Sequence, residues 1–188
     1  MFDLPYLAQL NNKDEIVRRL QNGADINKQN SVGNTALWWA CWYNRTEIAE
    51  ILLQNKKINV NLQDKYRNSP FWIACSDNCY AIVLMMLQDA RVDINMAENR
   101  GWSSLVYACY KGNTQIVQLL LSSGRYIDIH KKTTKENGDI KSGSTALDVA
   151  KQTNKTHIVQ LLEQYQKNTK ETQKTLRNQL NLKGEYNI

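Results

Sequence analysis

An alanine followed eight residues later by an isoleucine recurs along most of the chain, and no other sequence feature constrains the fold as strongly. Successive alanines are separated by 32, 34, 34 and 42 residues. Each pair is followed by Leu-rich sequence, as in Ile51-Leu52-Leu53. The five pairs are Ala8–Ile16, Ala40–Ile48, Ala74–Ile82, Ala108–Ile116 and Ala150–Ile158. This spacing predicts a chain built from similar units that stack on one another.

Each unit carries the signals of two helices. A residue that caps helix N-termini well precedes each alanine-containing segment, and Pro70 follows one of them at the first helical position. The predicted caps are Asp3, Thr35, Ser69, Ser103 and Thr145. The first helix is predicted to end near Asn44, Asn78, Gly112 or Asn154. Ile and Leu residues then follow at helical spacing. Since one helix pair cannot bury its own apolar face, we expect an all-α stack.

These units resemble the ankyrin repeat. The resemblance rests on Thr35-Ala36-Leu37 and Ser69-Pro70-Phe71, on Ile116-Val117-Gln118-Leu119-Leu120, and on closing segments such as Asp25-Ile26-Asn27. It covers residues 3–165 and implies an ankyrin-repeat solenoid, in which helix-turn-helix units alternate with short hairpin-like finger loops. One departure is Arg67, which stands where the family's turn has glycine, so a left-handed backbone there would cost about 1 kcal/mol.

The period also predicts the domain boundaries. We expect an ankyrin-repeat domain at residues 1–165, with an enlarged loop at 131–142 and a basic polar tail at 166–188. Its units are about 1–27, 28–61, 62–95, 96–130 and 131–165. Lys151 and Glu163 replace apolar residues in the fifth unit, which predicts a terminal cap. In the tail, Leu176 and Leu180 allow a short amphipathic helix. Because the tail has few apolar residues, we expect it to dock on the last repeat or to be disordered; the alternative is a dedicated partner motif.

The distribution of charge disfavours nucleic-acid binding by the repeats. Net charge is +6, yet residues 1–129 carry 13 Lys and Arg against 12 Asp and Glu. The positive excess lies in residues 130–143 and 166–188. The alternative function is therefore a binder of nucleic acid or of an acidic surface, through the basic loop at 131–141 and the tail. We expect no membrane association and a cytoplasmic location, because neither a secretory signal nor a membrane-spanning run is present.

Catalytic chemistry finds little support. Cys41, Cys75 and Cys109 recur at a spacing of 34, next to the repeat alanine, and stacked equivalent positions lie too far apart for a disulfide. Neither the cysteines nor the two histidines have metal-ligand or catalytic-triad spacing. There is no glycine-rich phosphate loop. We therefore predict that the chain is not an enzyme and needs no metal or cofactor, and that its thiols are free.

Binding finds more support. The family resemblance implies a concave binding face made of the fingers and the outer edge of the first helices. Carried over position by position, it predicts partner contacts at Trp42, Tyr43, Lys65, Tyr66, Asn68, Asp77, Arg100, Trp102, Tyr110 and Lys111. Aromatic residues and Arg dominate the energetics of protein interfaces. We expect Trp42, Tyr66, Trp102 and Tyr110 on one continuous face; the alternative is that Trp42 or Trp102 fills gaps in the core.

The predicted function is a non-catalytic protein-interaction module of the adaptor, scaffold or inhibitor type. The resemblance also implies hydroxylation of a closing asparagine by an asparaginyl hydroxylase, which selects a leucine eight residues upstream. Asn61 and Asn95 meet that condition, with Leu53 and Leu87. The alternative role of these asparagines is to tie adjacent fingers together by hydrogen bonds.

Overall fold

A computed structural model describes residues 2–182. Within that range the chain forms eleven α-helices and no β-strand, which confirms the all-α fold class. The chain divides into two compact units, Met1–Asp93 and Ile94–Ile188. Each unit is built from the predicted helix pairs.

The first unit contains three helix pairs. They are α1 (Leu4–Gln9) with α2 (Lys13–Gln21), α3 (Ala36–Trp42) with α4 (Thr46–Gln54), and α5 (Pro70–Ser76) with α6 (Tyr80–Gln88). The first helices pack side by side in the order α1, α3, α5, and the second helices in the order α2, α4, α6. This stacking buries the apolar faces that a single pair would leave in water.

The second unit contains two helix pairs and an additional helix. The pairs are α7 (Ser104–Lys111) with α8 (Thr114–Ser122), and α9 (Ala146–Gln152) with α10 (Thr156–Lys167). Helix α11 (Thr169–Gln179) follows and packs on α8 and α10, with Leu176 and Thr172 buried. The beginning of the basic tail is therefore helical and docked, whereas residues 183–188 lie outside the described part of the chain.

All five predicted N-caps function as predicted. In each first helix, the cap side chain accepts a hydrogen bond from the backbone N–H three residues later, and Thr145 forms a full capping box with Asp148. The accepting side chains are those of Asp3, Thr35, Ser69, Ser103 and Thr145. Such bonds satisfy N–H groups that have no partner inside the helix. They explain why every first helix begins where it does.

Left-handed backbone follows the first helices and closes the fingers. Asn44, Asn78 and Asn154 have φ of 51°, 58° and 55°, and Gly112 has φ of 77°. Arg67 has φ of 67° at the position of the turn glycine, so the predicted strain is present. The equivalent Gly33 could not be replaced so easily, because a Cβ there would lie 2.9 Å from the Cα of Asp64.

The repeat alanines and isoleucines form the centre of each unit. All five alanines are fully buried, and the isoleucines are at most 1% exposed. Cys41, Cys75 and Cys109 lie beside the alanines and are equally buried, with free thiols. The period that identifies the repeats is therefore the period of the core.

The enlarged loop at 131–142 is an ordered hairpin-like finger. The Thr133 backbone N–H donates to the Ser144 carbonyl at 2.9 Å, and Asn137 and Ile140 exchange backbone hydrogen bonds at the tip. Ile140 is buried, which anchors the tip to the rest of the unit. The insertion thus maps to one finger, as insertions in repeat arrays do.

Candidate functional site

Helix α3 carries four aromatic residues that stack in two pairs. Trp38 and Trp42 lie nearly parallel with ring centroids 5.1 Å apart, and Trp39 and Tyr43 lie 5.6 Å apart with their planes 13° from parallel. The pairs form because residues four apart are neighbours on a helix surface. Trp38 is buried, while Trp42 is 45% exposed. Buried Trp38 holds exposed Trp42 in a fixed orientation, and half-buried Trp39 supports exposed Tyr43 by stacking.

Helix α1 continues this surface. Tyr6 and Leu10 are the positions equivalent to Trp38 and Trp42, and α1 packs directly on α3. The ring of Phe2, just before α1, lies 4.6 Å from that of Tyr6. Phe2, Tyr6 and Leu10, which follows α1, are all exposed. Because equivalent positions on adjacent packed helices share a face, these side chains extend the row of α3 towards the N-terminus.

The sequence analysis missed this extension. It predicted no partner contact in the first repeat, whereas Phe2, Tyr6 and Leu10, in and beside its first helix, are exposed. Their spacing of four residues on one helix face was the available signal.

The finger before α5 presents Tyr66. This finger, residues 62–68, is closed by Asp64, whose carboxylate accepts from the backbone N–H groups of Tyr66 and Asn68 at 2.8 and 2.9 Å. The Asn68 amide donates to the same carboxylate, so this predicted contact residue is engaged within its own finger. Tyr66 is left 56% exposed, with the Lys65 ammonium 4.9 Å from its ring centroid.

The residues that close the fingers form a second repeat that the sequence analysis overlooked. Asn30 and Glu98 are spaced 34 residues from Asp64 and accept backbone hydrogen bonds in the same way. All three present an oxygen to the turn, although their side chains differ. A search for polar residues at the repeat spacing could have found them.

Trp102 corrects the predicted site. It was expected to face a partner, but its side chain is fully buried. Its ring packs against Tyr110 at 5.2 Å and Tyr107 at 6.0 Å, both edge-on. The position just before the N-cap is also interior in the second repeat, where Asn34 is buried. Trp102 is therefore a core residue, as the alternative interpretation held.

Of the other predicted contact residues in the second unit, some have structural roles and one is exposed. The Arg100 guanidinium lies 3.2 Å from the buried Glu98 carboxylate and 3.2 Å from the Asn137 side-chain oxygen, so it fastens the enlarged finger. Tyr110 is half-buried against Trp102, and Lys111 is exposed. Asp77, in the first unit, is exposed and accepts a hydrogen bond from Ser76.

The exposed apolar side chains concentrate in one part of the molecule. Among the described residues, seven large hydrophobic side chains are exposed, and all but Tyr126 belong to the first unit. We call these six the aromatic face: Phe2, Tyr6, Leu10, Trp42, Tyr43 and Tyr66. Contiguous exposed apolar surface is unusual on a monomeric protein and marks interaction sites.

The closing asparagines bridge adjacent fingers. The Asn61 amide donates to the Arg91 carbonyl at 2.8 Å and accepts from the Asp93 N–H at 2.9 Å. Asn95 makes the same pair of bonds with the Tyr126 carbonyl and the Asp128 N–H. The bridging role that was the alternative to hydroxylation is therefore present at both residues.

Not all lysines of the basic loop at 131–141 are available to bind a partner, and acidic residues lie among those that are. The Lys131 ammonium donates to the Asn95 carbonyl at 2.7 Å and so serves the structure. Lys132, Lys135 and Lys141 are exposed, but Glu136 and Asp139 are exposed among them.

Three of the thiols are poor nucleophiles. Burial raises the pKa of Cys79 to about 11, and it also raises the pKa of Cys41 and of Cys109. They therefore stay protonated at neutral pH. Cys79 Sγ donates to the Cys41 carbonyl at 3.2 Å, a structural contact.

Within residues 2–182, no cluster of three or more His, Cys, Asp or Glu is arranged to hold a metal ion.

One concavity lies away from the aromatic face, and another includes Leu10 of that face. A cavity of about 440 Å³ between α8, α10 and α11 is lined mostly by polar side chains, among them Gln118, His157 and Gln164. Another, of about 620 Å³, lies by the turns that precede α2 and α4, where Lys13 pairs with Glu47 at 2.6 Å.

Among residues 2–182, no helix has the length and apolar character needed to cross a membrane.

Comparison with known proteins identifies the family. A search of curated proteins finds no match. The family described as "Ankyrin repeats (3 copies)" matches residues 4–98 and again residues 86–175. These two matches cover most of the chain, and the structure shows the helix pairs that they imply. The chain therefore belongs to the ankyrin repeat family.

Proposed function

We propose that the chain is a non-catalytic interaction module that binds a protein partner through the aromatic face of its first unit. Ankyrin repeats are in general protein–protein interaction modules, and the family is typically non-catalytic. The proposal assigns the partner contacts to the six residues of the aromatic face, with the predicted neighbours Lys65, Asn68 and Asp77 at its edges. Adaptor, scaffold and inhibitor roles all use such a face.

The observation that carries the proposal is the exposure of Trp42 on a rigid platform. Its ring stacks on buried Trp38, so little side-chain entropy is lost when a partner covers it. Tyr43 stacks on Trp39, which is half-buried. Aromatic anchors of this kind supply large contact areas and dominate interface energies.

Affinity capture with matched variants tests this function. The Trp42→Ala/Tyr43→Ala variant should lose the partners that the unaltered chain captures from cells of its source. Tyr126→Ala is the control, because Tyr126 is 80% exposed and lies outside the aromatic face. Loss of the same partners with Tyr126→Ala, or their retention by the double variant, would refute the assignment.

Binding of nucleic acid or an acidic surface through the basic loop is the second candidate. Exposed Lys132, Lys135 and Lys141 support it, whereas Glu136 and Asp139 weaken the local potential. Phosphate contacts would make such binding steeply dependent on salt. A gel shift with RNA or DNA that disappears in a Lys132→Gln/Lys135→Gln variant would favour this candidate.

Hydroxylation of Asn61 and Asn95 also stays a proposal. Both side chains lie at the ends of their repeats, within the bridges described above. Incubation with an asparaginyl hydroxylase should add the mass of one oxygen at these residues. An unchanged peptide mass at both sites would end the proposal.

A further inference from the structure

Two fingers of the first unit lie side by side at one edge of the aromatic face. Finger two (residues 28–34) leads into α3, and finger three (residues 62–68) leads into α5. The Lys65 backbone N–H donates to the Val32 carbonyl at 3.1 Å, and the Gln29 amide donates to the Gln63 carbonyl at 3.0 Å. These bonds hold the fingers together, so the charges they carry form one edge.

That edge is positive. The exposed charged residues of the two fingers are Lys28, Lys65 and Arg67, and none of them takes part in an ion pair in the described structure. The one carboxylate in the fingers, Asp64, is buried and accepts three hydrogen bonds from its own finger. The first unit as a whole has ten Lys and Arg and ten Asp and Glu, so this asymmetry is local.

The positive edge meets the aromatic face at Tyr66. Both fingers end at the N-caps of α3 and α5. The Lys65 ammonium lies over the ring of exposed Tyr66, which brings a cation and an apolar anchor together at one point. A ligand on this surface therefore meets apolar anchors along α1 and α3 and positive charge at the fingers.

We propose that the segment bound by the aromatic face is an acidic peptide with apolar anchors, whose carboxylates lie against Lys28, Lys65 and Arg67. This inference rests on the proposed function and specifies the chemistry of its partner. Aromatic or aliphatic side chains of the peptide cover Trp42 and Tyr43. Its acidic residues meet the fingers, where charge complementarity speeds association and selects against basic segments.

A protein segment fits this surface better than single-stranded nucleic acid does. Sequence-independent binding of bases uses open aromatic faces along a continuous basic groove. Here one face of Trp42 is covered by Trp38, and one face of Tyr43 by Trp39. The cations form a short edge of three side chains, which suits a few carboxylates better than a run of phosphates.

Selection from a random peptide library displayed on phage, with the full chain as bait, tests the inference without a known partner. Enriched peptides should carry net negative charge together with aromatic or aliphatic residues. Synthetic copies should bind more tightly than copies in which each Asp and Glu is replaced by Asn and Gln. Their affinity, measured by fluorescence anisotropy, should fall as salt is raised.

Two matched variants assign the charge effect to the fingers. Lys65→Gln/Arg67→Gln should weaken binding of the acidic peptides by about tenfold at low salt, the combined effect of two exposed charge pairs. Lys56→Gln/Lys57→Gln removes the same charge from an exposed segment outside the fingers and should leave binding nearly unchanged. Urea unfolding should show that both variants are folded.

The outcomes separate failure of the inference from failure of the proposed function. Enrichment of neutral or basic peptides that require Trp42 would overturn the acidic-partner inference and leave the binding face intact. Peptides that bind Trp42→Ala/Tyr43→Ala as well as the unaltered chain would overturn both. Tighter binding of a single-stranded oligonucleotide, lost in Lys65→Gln/Arg67→Gln, would replace the peptide by nucleic acid. A selection that enriches no peptide would also overturn the inference.

Discussion

Helix starts in this chain depend on single side-chain oxygens. Ser69 Oγ accepts from the Trp72 N–H at 3.1 Å, in a buried position where water cannot substitute. We predict that Ser69→Ala lowers the free energy of unfolding by about 1 kcal/mol, the usual value for a lost N-cap. Urea unfolding followed by circular dichroism measures this change. Ser31→Ala, at an exposed finger position, is the control and should have almost no effect.

Arg67 stores backbone strain. Its φ of 67° disfavours any side chain with a Cβ, whereas glycine adopts such a conformation freely. Arg67→Gly should therefore raise the free energy of unfolding by up to about 1 kcal/mol. Lys65→Gly, at a neighbouring residue without positive φ, should lower it. A lower stability for Arg67→Gly, relative to the unaltered chain, would show that the left-handed turn is not strained.

The buried thiols predict how stability depends on pH. Burial raises the pKa of Cys79 from 9.0 to about 11, so the folded state holds its proton more tightly than the unfolded state does. The resulting stabilisation is complete below about pH 9 and is lost as pH rises through about 11. Cys41 and Cys109 act in the same direction.

Urea unfolding at several alkaline pH values should show this loss, and Cys79→Ala should reduce its slope. Mass spectrometry of unreduced, alkylated protein should also show free thiols, because none of the four cysteines forms a disulfide in the structure. An intramolecular disulfide, or a slope unchanged by Cys79→Ala, would contradict this account.

At the scale of elements, α11 is held in place by few apolar contacts. Leu176 and Thr172 are its buried residues, and the rest of its described surface is mostly polar and exposed. Leu176→Ala should lower the free energy of unfolding by about 2 kcal/mol, at the low end for a buried leucine, since the helix can shift to fill the space. Hydrogen exchange should show reduced protection in residues 169–179 before the repeats lose any. Thr175→Ala, which is exposed, is the control. Equal loss of protection in α8 and α10 would contradict this independence of α11.

The sequence predicted the helices of the repeats well, because the start, the end and the buried face of a helix depend on residues close together in the sequence. The N-caps, the asparagine turns after the first helices and the alanine–isoleucine core all follow from one repeat spacing. Helix α11 could not be assigned from its sequence alone. Two apolar residues four apart are compatible with docking, free helix or disorder, and only contact with α8 and α10 decides between them.

The site was less predictable than the fold, because exposure depends on neighbours that are distant in the sequence. The comparison of equivalent repeat positions predicted that Trp42 and Tyr66 are exposed, and both side chains are exposed. It failed for Trp102, which packs against Tyr107 and Tyr110. It also predicted no contact at α1, although Tyr6 is exposed there. A repeat pattern gives the place of a residue in its unit, but side-chain volume and local packing decide whether it reaches solvent.

At the scale of the whole molecule, the chain presents its exposed aromatic surface on the first unit. The second unit keeps Trp102 in its core and orders its enlarged finger through Arg100 and Glu98. The central claim is that Trp42 acts in binding and contributes little to folding, whereas Trp102 acts in folding.

The most direct test compares Trp42→Ala with Trp102→Ala, measuring both partner affinity and the free energy of unfolding. Trp42→Ala should weaken affinity by about 30-fold or more, a typical hot-spot effect, and lower the free energy of unfolding by at most about 1 kcal/mol through loss of its stacking on Trp38. Trp102→Ala should instead lower the free energy of unfolding by about 3–5 kcal/mol. Unchanged affinity in Trp42→Ala, or unfolding of that variant to the same degree as Trp102→Ala, would contradict the account.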